Sequence, residues 1–335
     1  MKQITSLREQ RRSGVWTALF LAAAVAAGLT SCIPLDRPAS TAPPTAGPPI
    51  PAGSGAAAAI PPFSHVFVIV MENREYGQII GAPDAPYLNQ LASTYGLARR
   101  YYAITHPSLP NYLALLSGSV QGIANDCPTC EVEAPNLVDQ LERHGRTWIA
   151  YVEDLPAPCF NGPFAGGPGS VLGTSGYVRR HNPFMYFRDI GRDPSRCQHV
   201  VPLTRLDADL ASGYLPTLVW ITPNLEHDMH SGSTREGDIW LSGLVPRLLA
   251  SPAWQNGGVL FITWDEGQTS DGCCGNAAGG HVPTLVIAAH GRRAFTSDQL
   301  YTHYSLLRTI EEAWQLGYLG HAADPTTRSM ADFFR

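Results

Sequence analysis

The chain has 335 residues, of which 44% are hydrophobic and only 15% are charged, so a disordered protein is excluded. Its net charge of -5 gives no reason to expect nucleic-acid binding. Once residues 1–62 are set aside, the remainder is long enough for one large α/β domain with its own core.

The N-terminus has the features of an export signal. A basic region is followed by an apolar run over residues 15–29, which is too short to span a membrane comfortably. The run ends in Leu29-Thr30-Ser31-Cys32, which resembles a bacterial lipobox. We therefore expect a signal peptide over 1–32 and an exported lipoprotein anchored to the cell membrane through lipidated Cys32. The alternative is an ordinary secretory signal, which would release the protein.

Residues 33–62 form a segment rich in Pro, Ala, Gly, Ser and Thr. Such a composition cannot build a core and is typical of a flexible tether. The catalytic or binding domain is therefore expected over residues 63–335.

Six cysteines lie beyond the tether, an even number that favours disulfides in an exported protein. A zinc knuckle at the Cys-x-x-Cys pair is the alternative, but no second pair with metal-like spacing follows. The sequence leaves all 15 pairings open. The six are Cys127, Cys130, Cys159, Cys197, Cys273 and Cys274.

Polar residues follow two predicted strands at the point where each strand ends. The apolar run 65–71 leads into Glu72 and Asn73, and the run 257–263 is followed by Asp265 and Glu266. Ligands bind at the carboxyl ends of strands in open α/β sheets, and buried acids need a cation or a proton to offset them. These two clusters predict one metal or phosphate site.

Residues 97–118 indicate a strand, a turn and a short helix. The strand covers 97–104, two prolines interrupt the chain, and the apolar residues after Asn111 predict a helix closed by Gly118. Ser108 then lies at the turn, where a helix N-terminus favours an anion. That is the position of a nucleophile, although a serine between prolines is also common in plain turns.

A third polar cluster follows a predicted strand over 217–222. His227, Asp228 and His230 could bind a metal or transfer protons, or they could be incidental residues of a surface loop. The Gly-, Pro- and Cys-rich stretch 153–200 gives no readable function. A helix over 233–249 carries Trp240 on its apolar face, which we expect to belong to the core.

The remaining pattern alternates between helices and strands without internal repeats. Helices are predicted over 87–95, 136–144, 203–210 and 303–316, and further strands over 147–152 and 282–288, the last clear strand. This alternation predicts a doubly wound α/β/α sandwich.

With these residues in place, the chain resembles the bacterial phosphoesterase family of acid phosphatases and phospholipases C, within the alkaline-phosphatase-like superfamily. The likeness is greatest to short secreted acid phosphatases that act on phosphoinositides, through residues 153–156 and 237–241. The matching stretches are Val70-Met71-Glu72-Asn73, Thr105-His106-Pro107-Ser108-Leu109-Pro110-Asn111-Tyr112, Pro223-Asn224 with Asp228-Met229-His230, and Thr263-Trp264-Asp265-Glu266.

The resemblance implies a serine nucleophile, one divalent metal ion of unknown identity, and a phosphorylated small molecule or phospholipid headgroup as substrate. The implied metal ligands are Glu72, Asn73, Ser108, Asp265, Glu266 and Asp228. The implied catalytic residues are Ser108, His106 and His230, and the implied substrate contacts are Asn111 and His281.

One departure from the superfamily concerns the number of metals. Two-metal alkaline phosphatases carry an Asp-x-x-x-His pair where this chain has Asn224 and Asp228, so a one-metal site is expected. A phospholipase C-type phosphodiesterase and a non-catalytic binding lipoprotein are the alternatives to a phosphomonoesterase. The intact set of Ser, Asn, Asp, Glu and His argues against the last.

Overall fold

A computed structural model describes residues 60–166, 171, 173 and 175–334. The expected signal peptide, the lipidation site Cys32 and all but the end of the expected tether lie outside the described residues. Within that part of the chain, no helix is long and apolar enough to cross a membrane. The strands are β1 (Val66–Met71), β2 (Gly96–Tyr102), β3 (Trp148–Val152), β4 (Phe164–Ala165), β5 (Tyr177–Val178), β6 (Val200–Pro202), β7 (Leu218–Thr222), β8 (Val259–Trp264), β9 (Thr284–Ala288) and β10 (Phe295–Thr302).

Ten α-helices occur in the described part of the chain, together with short 3-10 turns. The helices are α1 (Tyr76–Ile79), α2 (Pro86–Thr94), α3 (Ser108–Ser117), α4 (Leu137–Arg143), α5 (Arg188–Gly191), α6 (Pro194–Cys197), α7 (Leu206–Ser212), α8 (Thr234–Leu249), α9 (Pro252–Gln255) and α10 (His303–Trp314).

Eight strands form one sheet in the order β10-β2-β9-β8-β1-β7-β3-β6. Strand β1 lies at its centre and pairs in parallel with β7 and β8. All residues of β1, β3, β7, β8 and β9 are buried, as expected for strands covered on both faces. The apolar runs in the sequence therefore become the middle layer of the domain.

The helices form the two outer layers of the predicted sandwich. Helix α3 packs with α10 and α4, while α2 and α9 pack with α8. Side chains cap several of them: Ser233 accepts a hydrogen bond from the Glu236 N–H at the start of α8, and Asn136 caps α4 in the same way. The doubly wound α/β fold predicted from the sequence is confirmed.

Two details differ from the prediction. Strand β10 follows the strand expected to be last. It lies at the sheet edge, half-exposed and polar, so its sequence lacks the apolar pattern of a buried strand. Strand β9 runs antiparallel to both β8 and β2, so the sheet is mixed. Trp240 packs against the core as a partly buried side chain, and its indole N–H donates to a carboxylate oxygen of Glu153.

The predicted disulfides are present. Cysteines pair as Cys127–Cys130, Cys159–Cys197 and Cys273–Cys274. The Cys-x-x-Cys pair therefore forms a disulfide and not a zinc knuckle.

Candidate active site

The first two predicted clusters meet at the carboxyl ends of the central strands. Met71 at the end of β1 pairs with Trp264 at the end of β8, which places Glu72 beside Asp265. The Asp265 N–H donates to the Met71 carbonyl oxygen (2.9 Å), and the Glu72 N–H donates to the Asp228 carbonyl oxygen (2.8 Å). Residues from three distant parts of the chain thus converge on one site.

Ser108 is the first residue of α3, which begins before the helix predicted after Asn111 and so takes in the residues expected to form the turn. Its hydroxyl donates to Oε2 of Glu72 at 3.1 Å, although the side chain is almost fully buried. One turn later, the Tyr112 hydroxyl donates to Oε1 of the same carboxylate at 2.8 Å. Helix α3 therefore positions Ser108 against Glu72 through two adjacent hydrogen bonds.

His181 is a central residue that sequence reasoning missed. Its Nε2 lies 3.0 Å from Glu72 Oε1 and its Nδ1 lies 3.0 Å from Asp228 Oδ2, with all three side chains buried. The ring also stacks on Tyr112. His181 comes from the stretch 153–200, whose composition carries no periodic signal, so only the tertiary fold brings it to the site.

The acids of the site are buried and close enough to repel one another. Burial and then the charge of Glu266 raise the pKa of Glu72 to about 8. Burial, followed by the Glu72 charge, holds the pKa values of Asp228 and Asp265 well above their usual range. Burial also raises the pKa of Glu266 to about 7, against the lowering effect of His106. The protein's own charges therefore leave this cluster under-compensated.

A divalent cation fits this arrangement. Both carboxylate oxygens of Asp265 are buried, and no donor among the described residues reaches either of them. Glu72, His181 and Asp228 each place one ligand atom within 4.8 Å of the others. Carboxylate oxygens with one imidazole suit several divalent ions. This group shares Glu72 and Asp228 with the predicted ligand set and adds His181.

Asn73 and Glu266 flank the cluster as the sequence predicts. The Asn73 side-chain amide donates to Glu72 Oε2 at 3.2 Å, and its backbone φ of 51° lies in the left-handed region that Asn tolerates. Glu266 Oε2 lies 2.9 Å from His106 Nδ1. Their roles as metal ligands remain predictions.

The two predicted catalytic histidines are placed differently. His106 Nε2 lies 2.9 Å from the Thr269 carbonyl oxygen, so both ring nitrogens of His106 face acceptors, the other being Glu266. His230 Nε2 instead accepts from the Arg180 guanidinium at 3.3 Å. Burial and the charge of Arg180 lower the His230 pKa to about 4, so His230 is mostly uncharged at neutral pH. The roles of both histidines in proton transfer remain predictions.

Arg180 is a second residue missed from the sequence. Its side chain is largely buried, and its positive charge acts on the pKa values of Glu72, Asp228 and His230. Its Nε lies 3.5 Å from Asp126 Oδ2, and the other oxygen of Asp126 accepts the N–H of Leu109 at the start of α3. The Asp126 carboxylate thus lies where a helix N-terminus and a guanidinium would favour a phosphate.

Asn111 and His281, the expected substrate contacts, both make hydrogen bonds within the protein, and their contact with substrate remains a prediction. The Asn111 side chain is fully buried, accepting from the N–H groups of Ile104 and Thr105 and donating to two carbonyl oxygens. Its amide therefore braces the loop that carries Ser108. The His281 ring stacks on Tyr76 and Tyr102 and bonds the Arg99 carbonyl oxygen, away from the carboxylates.

Comparisons with solved structures agree with the observed fold. A protein of the alkaline phosphatase superfamily from Vibrio parahaemolyticus superposes with a TM-score of 0.52 at 11% identity, covering 83% of this chain and 76% of that one. A phosphonate monoester hydrolase from Silicibacter pomeroyi gives 0.53 at 13% identity, covering 81% and 76%. At these identities the likeness concerns the fold alone.

Comparisons of sequence are more specific. A phosphatidylinositol-3-phosphatase of Mycobacterium tuberculosis is 36% identical over 283 residues, or 83% of this chain and 86% of that protein. An acid phosphatase of Aspergillus fumigatus is 29% identical over 77% of this chain, which spans 56% of its length. The model of the Phosphoesterase family matches residues 82–317. The chain therefore belongs to the Phosphoesterase family and is an acid-phosphatase-like hydrolase of phosphoric esters.

Proposed function

We propose that this protein is an exported phosphomonoesterase that uses Ser108 as a covalent nucleophile with the aid of one divalent metal ion. The observation that carries the proposal is the contact between the buried Ser108 hydroxyl and a carboxylate of an under-compensated acid cluster. The phosphatase of M. tuberculosis named above acts on phosphatidylinositol 3-phosphate, so phosphoinositides are the first substrates to test.

The first step forms a bond between Ser108 Oγ and phosphorus. The serine proton passes to the ionised form of Glu72, whose Oε2 already accepts the Ser108 hydrogen bond, while the alkoxide leaves with the electron pair of the broken P–O bond. Because α3 and Tyr112 fix Glu72 on both oxygens, the nucleophile is oriented before substrate arrives. A water molecule then attacks phosphorus and gives its proton to His106, and Glu72 returns its proton to Ser108 Oγ as the P–Oγ bond breaks and inorganic phosphate leaves.

The leaving alcohol takes its proton from His106. That ring lies between Glu266 and the Thr269 carbonyl oxygen, and the pair of His106 and Glu266 can hold an extra proton across the 2.9 Å contact. A proton held at this place can pass to the leaving alkoxide. His230, which accepts from Arg180, helps to hold the guanidinium instead.

The phosphoryl group carries negative charge that the site must balance. Arg180 would pair with phosphate oxygens once Asp126 gives way. A cation held by Glu72, Asp228, His181 and Asp265 would supply the positive charge that lowers the pKa of a serine hydroxyl and stabilises the transferring group.

Export and anchoring follow from the N-terminal pattern alone. We propose that lipid on Cys32 tethers the enzyme to the outer surface of the cell membrane, close to phospholipid headgroups. Mass spectrometry of the mature N-terminus tests this. An unmodified N-terminus downstream of Cys32 would contradict it.

A substrate panel tests the proposed activity. The full chain is assayed with p-nitrophenyl phosphate, phosphoinositides and phosphatidylcholine, with and without chelator. We expect phosphomonoester turnover that chelation abolishes and added metal restores. Release of phosphocholine from phosphatidylcholine without monoester turnover would instead identify a phosphodiesterase.

The same assay tests the nucleophile. Replacing Ser108 by Ala removes the attacking oxygen, so turnover should fall by orders of magnitude. The free energy of unfolding should change by about 1 kcal/mol at most. Ser117→Ala is the matched control, because Ser117 lies at the other end of α3 and its hydroxyl bonds only neighbouring groups of the loop and helix end. Near wild-type turnover in Ser108→Ala would contradict the mechanism.

A further inference from the structure

A cavity of about 760 Å³ opens beside the active site at the carboxyl ends of β3 and β6. Its walls include Asp154 and Leu155, which follow β3, and Ile239 and Trp240 on α8. The stretches 153–156 and 237–241, which stand apart in sequence from the residues of the catalytic site, therefore meet in one place. A volume of this size suits a small organic ligand.

The cavity is close enough to the active site for one substrate to reach both. Strands β1, β7 and β3 are consecutive neighbours, and Glu72 follows β1 as Glu153 follows β3. Two strand spacings amount to roughly 10 Å. Glu153 also acts electrostatically on Asp228. A phosphate ester of moderate size can therefore place its phosphoryl group at Ser108 and its alcohol portion in the cavity.

Most polar groups of the cavity wall are already used within the protein. Glu153 accepts hydrogen bonds from the Trp240 indole (3.2 Å), from His227 Nδ1 (2.9 Å) and from the Asn224 N–H (3.0 Å). Arg247 is paired with Asp207 at another part of the wall. These groups shape the cavity and have little capacity left for a ligand.

Asp154 is the exception. Its Oδ2 accepts from the Asn224 amide at 2.9 Å, while no donor among the described residues reaches Oδ1. Its backbone φ of 56° lies in the left-handed region, a conformation that sets the direction of this side chain at some cost. A carboxylate oxygen without a donor, on a wall that also carries an indole, offers hydrogen-bond acceptance to hydroxyl groups and an apolar surface to ring carbons.

We propose that this cavity is the subsite for the leaving alcohol and that it selects phosphate esters of polyhydroxylated alcohols such as an inositol ring. The proposal rests on the phosphomonoesterase function. The negative charge of Asp154 repels a phosphate placed against it, so the reacting phosphoryl group is directed to Arg180 and hydroxyl groups of the alcohol are directed to Asp154. Trp240 and Leu155 line the space that a ring would occupy.

A binding experiment tests the cavity independently of catalysis. The full chain is titrated by calorimetry with myo-inositol, and choline chloride is the second probe. We expect saturable binding of myo-inositol that weakens about tenfold in Asp154→Ala, the size of one lost hydrogen bond to a charged acceptor. Asp298→Ala is the matched control, because Asp298 is an exposed acid on the edge strand β10.

Kinetics then distinguish failure of the subsite from failure of the proposed function. In Asp154→Ala, kcat/KM should fall about tenfold for an inositol monophosphate and stay unchanged for p-nitrophenyl phosphate. The subsite would be contradicted if the ratio of kcat/KM for the inositol monophosphate to kcat/KM for p-nitrophenyl phosphate were the same in wild type and variant. It would also be contradicted if myo-inositol did not bind or if choline bound more tightly. Loss of the phosphomonoesterase function would appear separately, as no hydrolysis of p-nitrophenyl phosphate by the wild type.

Discussion

Two buried carboxylic acids, Asp265 in the candidate active site and Glu311 in α10, differ in the donors and charges that surround them. Burial raises the pKa of both, and that of Glu311 reaches about 8. Glu311 Oε1 accepts from the Leu319 N–H (2.8 Å) and the Gln140 amide (3.2 Å), and only its Oε2 lacks a donor, whereas neither oxygen of Asp265 has a donor among the described residues.

The difference lies in the neighbouring charges. The charged neighbours of Glu311 are Arg308 and Glu312, which act on its pKa in opposite directions, so one retained proton neutralises it. Asp265 adjoins Glu72 and Glu266, and the charges of both raise its pKa further. Neutralising a cluster of acids with protons alone would remove the negative charge that a metal site needs. A lone buried acid is therefore structural here, and a donor-free acid among other acids marks a cation site.

Of the substitutions at these two acids, Asp265→Asn should have the larger effect on activity. The amide removes one negative ligand, so phosphomonoester turnover should fall about a thousandfold, equivalent to about 4 kcal/mol. Glu311→Gln is the control and should retain turnover, because Glu311 lies outside the site. The measurement is kcat/KM on p-nitrophenyl phosphate. Equal losses of kcat/KM in both variants would contradict the assignment of Asp265 to the cation site and of Glu311 to a structural role.

Cation binding should also be visible without catalysis. A divalent ion at about 100 times its dissociation constant should stabilise the wild type by about 2.7 kcal/mol, since it binds only the folded state. Thermal unfolding in the presence and absence of chelator measures this, and Mn²⁺, Mg²⁺ and Ca²⁺ are the probes. Asp265→Asn should lose most of the shift and Glu311→Gln should keep it. An identical shift in all three proteins would place the ion elsewhere.

Glu311 should make the free energy of unfolding depend on pH. Its folded-state pKa lies above its unfolded value, so its contribution is fully present below the unfolded pKa and is lost as pH rises through about 8. Between pH 5.5 and 7 the loss should be about 2 kcal/mol at about 1.4 kcal/mol per pH unit. Urea unfolding of chelated wild type and Glu311→Gln measures it. The variant should lose less stability over that range.

Asp126 offers a smaller and more local test. Its carboxylate contacts the Leu109 N–H and approaches Arg180, two groups that would otherwise favour phosphate. Asp126→Asn should lower the inhibition constant of inorganic phosphate about fivefold, equivalent to about 1 kcal/mol. Glu133→Gln, an exposed acid of the same loop region, should leave it unchanged. Weaker phosphate binding in Asp126→Asn would show that this carboxylate does not lie at the phosphate position.

The sequence was sufficient for the parts of the fold with strong periodicity. Buried strands such as β1 and β8 are continuous apolar runs, and the acids directly after them must lie at one edge of a parallel sheet. Strand β10 escaped because an exposed edge strand tolerates polar residues, and nothing local signals its pairing with β2.

The site was predictable only where its residues follow strands. His181 and Arg180 come from a stretch without periodicity, and only the folded chain brings them to Glu72. Motif identity also does not show whether a polar group is free. Asn111 belongs to the resemblance motif, yet the loop backbone occupies both ends of its amide.

Trapping of a covalent phosphoenzyme intermediate is the most direct test that Ser108 is the nucleophile. Wild-type protein is mixed with radiolabelled p-nitrophenyl phosphate, quenched in acid during the first turnover, digested and sequenced by mass spectrometry. We expect acid-stable phosphate on Ser108 and no trapped label in Ser108→Ala. Full turnover with label on a histidine, or with no protein-bound label at any quench time, would contradict a serine nucleophile.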